Sequence, residues 1–158
     1  MTIVLVNPEI PQNTGTIARL CAVTNSTLEL VHPLGFKIDD KHLRRAGLDY
    51  WKSVDVHELK SINEFKEKRR QNLIDKKGRY FYLTKHAKKF YTEINWQEND
   101  FMVFGSETSG LDFDGLDVPE NSMLRIPQIK NQRCLNLANA ASIVLYEALR
   151  QQEFSGMV

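Results

Sequence analysis

Three stretches of this sequence combine groups capable of polar chemistry with the glycines and prolines that let a backbone turn sharply. They are NPEIPQNTGTIAR (Asn7 to Arg19), GSETSG (Gly105 to Gly110) and IPQIKNQRCLNLAN (Ile126 to Asn139). The first carries the carboxamide of Asn13 and the guanidinium of Arg19. A guanidinium keeps its charge at physiological pH, and its planar fork suits a phosphate or a developing oxyanion. Standing among Ile17, Ala18, Leu20 and Cys21, Arg19 also reads as the polar side of an amphipathic helix, with Asn13 or Thr14 as its N-cap. The second stretch holds Glu107 between two glycines, either as an acceptor for a site residue or as a solvated turn acid. Gly105 and Gly110 permit unusual dihedrals and close backbone approach. The third stretch sets the Cys134 thiol and the Asn136 and Asn139 carboxamides at the mouth of a segment otherwise rich in Ala, Val, Ile and Leu. Asn is a mediocre residue inside a helix and a good one at its start, so these amides cap the helix or serve a site there.

Each stretch follows a run that reads as a strand. Thr2 to Asn7 is apolar and β-branched, and Asp100 to Gly105 is a near-continuous apolar run of the kind buried on both faces. Thr27 to Pro33, Arg79 to Thr84 and Met123 to Pro127 are further strands. Helices are expected after Asn13, briefly over Lys41 to Leu48, over Ile62 to Leu73 and from Leu137 to Leu149. In the third of these, Ile62, Phe65 and Leu73 are the few apolar contacts. Strands alternating with helices at this spacing indicate an α/β fold, a mostly parallel sheet flanked by helices. Ligands of such sheets sit beyond the carboxyl ends of the strands, so all three stretches can line one site. The last helix is apolar around nearly its whole circumference, which predicts burial on most sides. One sheet covers a single side, so a second subunit is expected on the other, with Tyr146 in the contact.

With 158 residues, 42% of them apolar and 26% charged, the chain reads as one globular domain spanning residues 1–158. Its apolar start is too short for a secretory signal core, and no run approaches the roughly 20 apolar residues of a spanning helix. Two cysteines give neither a disulfide framework nor a metal spacing, so a reducing, cytoplasmic setting without a metal is expected. The net charge of +1 hides an asymmetry: Lys60 to Lys89 carries eleven Lys or Arg against three acids, while Glu98 to Glu120 carries seven acids and no base. Such a basic half is a solvated helix face or a phosphate-facing surface. GSETSG is not a dinucleotide fingerprint and no phosphate-binding P-loop is present, which disfavours a nicotinamide-dependent enzyme.

The order N-P-x-x-P-x-N-x-G-x-x-x-R, then G-x-E-x-x-G-L, then I-P-x(7)-L-N-L-x-N-A resembles the three signature motifs of the SPOUT superfamily of RNA methyltransferases. RRAGLDYW, Arg44 to Trp51, is similar to the single-domain branch that 2′-O-methylates the tRNA wobble nucleotide. The resemblance implies a C-terminal deep trefoil knot, a feature no sequence pattern alone would suggest. It also implies S-adenosylmethionine as cofactor, held by Leu83, Thr84, Gly105, Ile126, Cys134 and Leu135. Arg19, Asn13, Glu107 and Asn136 are the implied catalytic set. Cys134 stands where relatives commonly carry Ser, and Ser109 where the wobble branch more often has Arg.

Methyl transfer to a ribose hydroxyl needs collinear oxygen, carbon and sulfur, and stabilisation of the oxygen as its proton leaves. A guanidinium is a poor base, so Arg19 is expected to act electrostatically while phosphate or water takes the proton. The implied substrate is a tRNA anticodon loop, gripped by Lys41, Arg44, Arg45, Lys85, Lys88 and Lys89, with Tyr50 and Trp51 stacking on bases or packing at the core edge. Two other readings remain open from sequence: ribose methylation of rRNA or another tRNA position, and a non-catalytic RNA-binding protein of the same fold.

Overall fold

The run Thr2–Val6 forms β1, the strand about which the rest of the sheet is arranged. It is followed by β2 (Thr27–Val31), β3 (Val56–Leu59), β4 (Tyr80–Leu83), β5 (Phe101–Phe104) and β6 (Met123–Leu124). Among the described residues three α-helices, α1 (Pro11–Thr24), α2 (Ile62–Ile74) and α3 (Leu137–Gln151), connect or follow them. The computed structural model describes residues 1–38 and 53–158. The expected helical turns over Lys41 to Leu48, and Lys41, Arg44, Arg45, Tyr50 and Trp51, lie outside the described residues.

All pairings are parallel, in the order β3-β2-β1-β5-β4-β6. Alternation along the strands sends Ile3, Leu5, Leu28, Leu30, Met102, Phe104 and Leu124 to one face and Val4, Val6, Tyr80, Tyr82 and Val103 to the other. The first face buries α1 through Ile17, Ala18 and Cys21, and α3 through Ala138, Ala141, Val144, Leu145, Ala148 and Leu149. The small residues of α3 let it lie close to both the sheet and α1.

On the second face α2 is held differently. Phe65 is its one buried residue, edge-on to Tyr80. Leu73, expected as one of its few apolar contacts, is 51% exposed. Polar ties do the rest: Arg69 donates to the Tyr82 hydroxyl and the Leu116 carbonyl, Asn72 to the Tyr80 hydroxyl, and Lys68 pairs with buried Glu29 at 2.7 Å. Part of the basic helix therefore looks inward. Burial raises the pKa of both tyrosines, so their hydroxyls stay protonated and available to these partners.

Two boundaries differ from the sequence expectation. The helix α1 begins at Pro11, not at Asn13 or Thr14. Ile10 holds the cap position in an extended conformation, and Pro11 opens the helix at no cost because its missing N–H would have had no partner. Asn13 is therefore no N-cap; it sits inside the first turn and is buried. The strand β3 was unanticipated, because His57 and Glu58 are exposed on this edge strand and leave almost no apolar signal.

Candidate active site

The carboxyl ends of β1, β5, β4 and β6 all point the same way, and the three polar stretches meet there. Glu107 is the junction. Its Oε2 accepts from the Glu9 backbone N–H at 2.7 Å, and its Oε1 from the Ile10 N–H at 3.2 Å and the Asn13 Nδ2 at 2.9 Å. The Asn13 Oδ1 in turn accepts from Asn136 Nδ2 at 2.9 Å. Asn136 is also the N-cap of α3, its Oδ1 accepting from the Ala138 and Asn139 N–H groups. Residues 94 and 123 positions apart thus form one chain of hydrogen bonds. Glu9, which sequence reasoning passed over, completes the clasp by accepting from both the backbone and the hydroxyl of Thr108. An acid beside two prolines gave no signal of that pairing.

The loop carrying Glu107 is closed on itself. Ser106 and Gly110 exchange backbone hydrogen bonds, and the Ser106 and Ser109 hydroxyls lie 3.0 Å apart. A Cβ on Gly105 would overlap the Gly110 carbonyl group, so glycine is required for the loop to fold back this tightly. Gly110 turns the chain with φ +73°, a region that glycine enters without strain.

Register places two of the expected cofactor residues, Thr84 and Gly105, side by side. Tyr82 pairs with Val103 and Leu83 with Leu124, so Gly105, Thr84 and Arg125 form the next row across three adjacent strands. At about 4.8 Å between neighbouring strands, that row spans roughly 10 Å. Leu83, Thr84 and Ile126 are half-buried, and Leu135 is 40% exposed although apolar. Cys134 is exposed, whereas burial pushes the thiol of Cys21 up to about 12. Beside the row, at the ends of β1 and β5, is a cavity of about 280 Å³ lined by Asn7, Glu9, Ser106, Ser109 and Gly110 among others. A larger hollow of about 390 Å³ lies along α2, lined by Asn63, Lys66, Glu67, Arg70 and Asp117 among others. Its charged walls are already paired, Lys66 with Asp117 and Arg70 with Glu67, and we read it as solvated surface.

Glu107, Asn13 and Asn136 make up the hydrogen-bonded chain, and Arg19 lies further along the same helix as Asn13. It is exposed on α1, and six residues of helix put it about two-thirds of a revolution from Asn13. Lys85, Lys88 and Lys89 are exposed just beyond β4, and Lys88 pairs with Glu120 at 2.9 Å. Among the described residues no cluster of His, Cys, Asp and Glu could hold a metal, and no helix is long and apolar enough to cross a membrane.

A parallel α/β sheet with its polar groups gathered at the ends of four strands, closed by a glycine-bounded acidic loop and an amide-capped helix, is the frame of a SpoU-type methylase. The model of the SpoU rRNA Methylase family matches residues 1–146, and the chain belongs to that family. It is 45% identical to the tRNA (cytidine(34)-2'-O)-methyltransferase of Saccharophagus degradans, over 98% of this chain and 97% of that protein. It is 42% identical to the protein of the same name from Escherichia coli K12, over 100% and 98%. A solved structure concerned with 2-OH methylation of C/U34 on tRNA superimposes with a TM-score of 0.87 at 37% identity, covering 97% of this chain and 96% of that one. The SpoU methyltransferase AviRb from Streptomyces viridochromogenes, solved with AdoMet, shares the fold at TM-score 0.86 and 20% identity, over 98% of this chain and 61% of that one.

Proposed function

We propose that this chain, as one domain over residues 1–158, is an S-adenosylmethionine-dependent tRNA 2′-O-methyltransferase acting on the ribose of the wobble nucleotide, cytidine or uridine 34, in the cytoplasm. The observation that carries the reading is the chain Glu107–Asn13–Asn136, which ties all three signature motifs into one place. Relatives of matching length that bear this activity in their names support it.

The residues present fit the cofactor. Half-buried Leu83 and Ile126 and the exposed Leu135 offer apolar walls, and strand-end backbone offers polar groups, the mix an adenosine needs. Leu83, Thr84, Gly105, Ile126, Cys134 and Leu135 would hold it. When bound it supplies an electrophilic methyl group on sulfur. To reach Asn13 after leaving β6 at the sheet edge, the chain must return across the ends of β4 and β5. That path supports a trefoil knot in the segment leading to α3.

The protein's own part is orientation and electrostatics. Asn13 and Asn136 are held with fixed amide directions by Glu107 and by the α3 cap, so their remaining polar capacity can orient a ribose. Arg19 grips an adjacent phosphate and stabilises the hydroxyl oxygen as it loses its proton to phosphate or water. Lys85 and Lys88 contribute phosphate contacts.

Two copies act together through α3. Ile143 and Tyr146 are 36% and 46% exposed on the side of the helix away from buried Ala141, Val144 and Leu145, and Val23 of α1 is 60% exposed. Sedimentation at micromolar concentration is expected to show a dimer that Tyr146→Glu dissociates; a monomeric wild type overturns the dimer.

Ribose methylation should be mapped by mass in unfractionated tRNA and in rRNA after incubation with labelled cofactor. The expected product carries one methyl on the ribose at position 34. Methyl groups elsewhere, or none in either RNA, overturn the assignment.

A further inference from the structure

Arg69, Arg70, Arg79 and Arg150 each donate to an oxygen of the protein. Arg125 does not. It is half-buried, its Nε is shielded from solvent, and that nitrogen has no hydrogen-bond partner among the described residues. A guanidinium carries five N–H donors and cannot discard its charge, so a shielded, unpartnered donor on it calls for an acceptor from outside the chain.

The position is rigid. The Arg125 N–H donates to the Lys89 carbonyl at 2.9 Å, and its carbonyl accepts from the Tyr91 N–H at 3.0 Å. Leu124 is fully buried against the α1 and α3 side, so alternation turns the Arg125 side chain to the opposite face of the sheet. There it stands in the row with Thr84 and Gly105, at the edge of the site. The segment paired to it, Lys85 to Tyr91, brings Lys85, Lys88 and Lys89. Glu120 balances Lys88. Lys85 and Lys89 are exposed, and neither forms an ion pair among the described residues.

We propose that Arg125, flanked by Lys85 and Lys89, is a phosphate-binding subsite for the RNA backbone, with Arg125 as its two-pronged anchor. This rests on RNA being the substrate. The alternative anion at this edge is the carboxylate of the cofactor. That molecule carries a sulfonium and an ammonium against one carboxylate, and its net positive charge is repelled by a cluster of three cations. A polyanion is favoured by the same cluster. The fork of Arg125 matches two phosphate oxygens at once, while the lysines act as point charges around it.

The test uses the full chain with Arg125→Met, which keeps the apolar stem, and Arg125→Lys, which keeps the charge. Binding of unfractionated tRNA is measured across a salt series, and S-adenosylmethionine binding by calorimetry. Arg125→Met is expected to weaken tRNA binding about tenfold or more and to lower the slope of log affinity against log salt by about one. Cofactor affinity and melting temperature stay at the wild-type level. Arg125→Lys restores the slope without restoring the affinity. Unchanged tRNA affinity and slope overturn the proposal, as does a loss of cofactor affinity with tRNA binding intact. Should Arg125→Met unfold, the exposed pair Lys85→Ala and Lys89→Ala must each still flatten the slope, or the subsite is refuted. Failure here with a wild type that methylates tRNA leaves the enzymatic assignment standing; a wild type that methylates no RNA removes that assignment first.

Discussion

Replacing Glu107 with Gln keeps the shape of the side chain and removes one of its two acceptor oxygens. The surviving oxygen does most when it faces the Ile10 N–H and Asn13 Nδ2, which leaves an amide NH2 against the Glu9 N–H, now 2.7 Å from the lost acceptor. Hydrogen bonds to a charged group contribute about 1.5–3 kcal/mol each and neutral ones about 0.5–1.5. Losing one and weakening two would sum to about 4 kcal/mol in a dry interior; Glu107 is half-buried, water replaces part of the loss, and about 2 kcal/mol remains. For a chain of this size that corresponds to a fall of about 4–8 °C in melting temperature. If the clasp sets the direction of Asn13, the same 2 kcal/mol slows methyl transfer about 30-fold at saturating cofactor. Thermal unfolding and single-turnover transfer of labelled methyl to tRNA read the two effects. Combined with Asn13→Ala, the substitutions should be non-additive by about 0.5 kcal/mol or more, because the two side chains share a bond. A variant within about 0.5 kcal/mol of wild type, with an additive cycle, would show that the clasp holds nothing together.

Arg19→Ala should abolish methylation while cofactor affinity by calorimetry stays near wild type; equal loss of both refutes the electrostatic role. Gly105→Ala forces a Cβ into the Gly110 backbone and should cost about 1–3 kcal/mol, with cofactor affinity reduced more than tRNA affinity. Asn136→Asp keeps the acceptor that caps α3 but turns a second acceptor toward Asn13 Oδ1, so activity should fall steeply with little change in melting temperature, whereas Asn136→Ala lowers both. Thiol titration at neutral pH should find Cys134 reactive, slowed by bound cofactor, and Cys21 silent until unfolding. The raised pKa of Cys21 stabilises the fold fully below the ordinary thiol value and is lost as pH climbs toward about 12, so the stability gap between wild type and Cys21→Ala should narrow from about pH 8 to about pH 10 in urea titrations.

The architecture was legible wherever burial leaves an unbroken apolar run. Thr2–Val6 and Phe101–Phe104 are buried on both faces and read as central strands at once. Edge elements were harder: β3 exposes His57 and Glu58, and β6 keeps ladder pairing only through Met123 and Leu124 where a longer strand was expected. Leu73 misled because helical spacing says which residues share a face, not whether a polar network already fills the space beneath. Asn13, Glu107 and Asn136, which the structure brings together, were singled out by motif order. Their mutual contacts were not, because nothing local in a chain records a pairing across 94 or 123 residues. Arg125 escaped for the opposite reason: beside Leu124 and Ile126 it reads as one polar residue in a strand, and only its missing partner marks it.

The carboxamides at the mouth of α3 have a physical reason. A side chain at residue 136 must accept from the first N–H groups of the helix and donate toward Asn13 at the same time. An aspartate supplies the first and not the second. A serine hydroxyl has one proton and a shorter reach, and cannot face two ways across the gap. An amide offers an oxygen and a nitrogen on opposite sides of one plane, so fixing either end fixes the other. The same holds for Asn13, whose nitrogen donates to Glu107 and whose oxygen accepts from Asn136. Two amides in series thus carry an orientation from the acidic loop after β5 to the start of α3 without adding a second charge along the way. Glu107 remains the single anion in that chain, and its position at one end leaves the other end neutral.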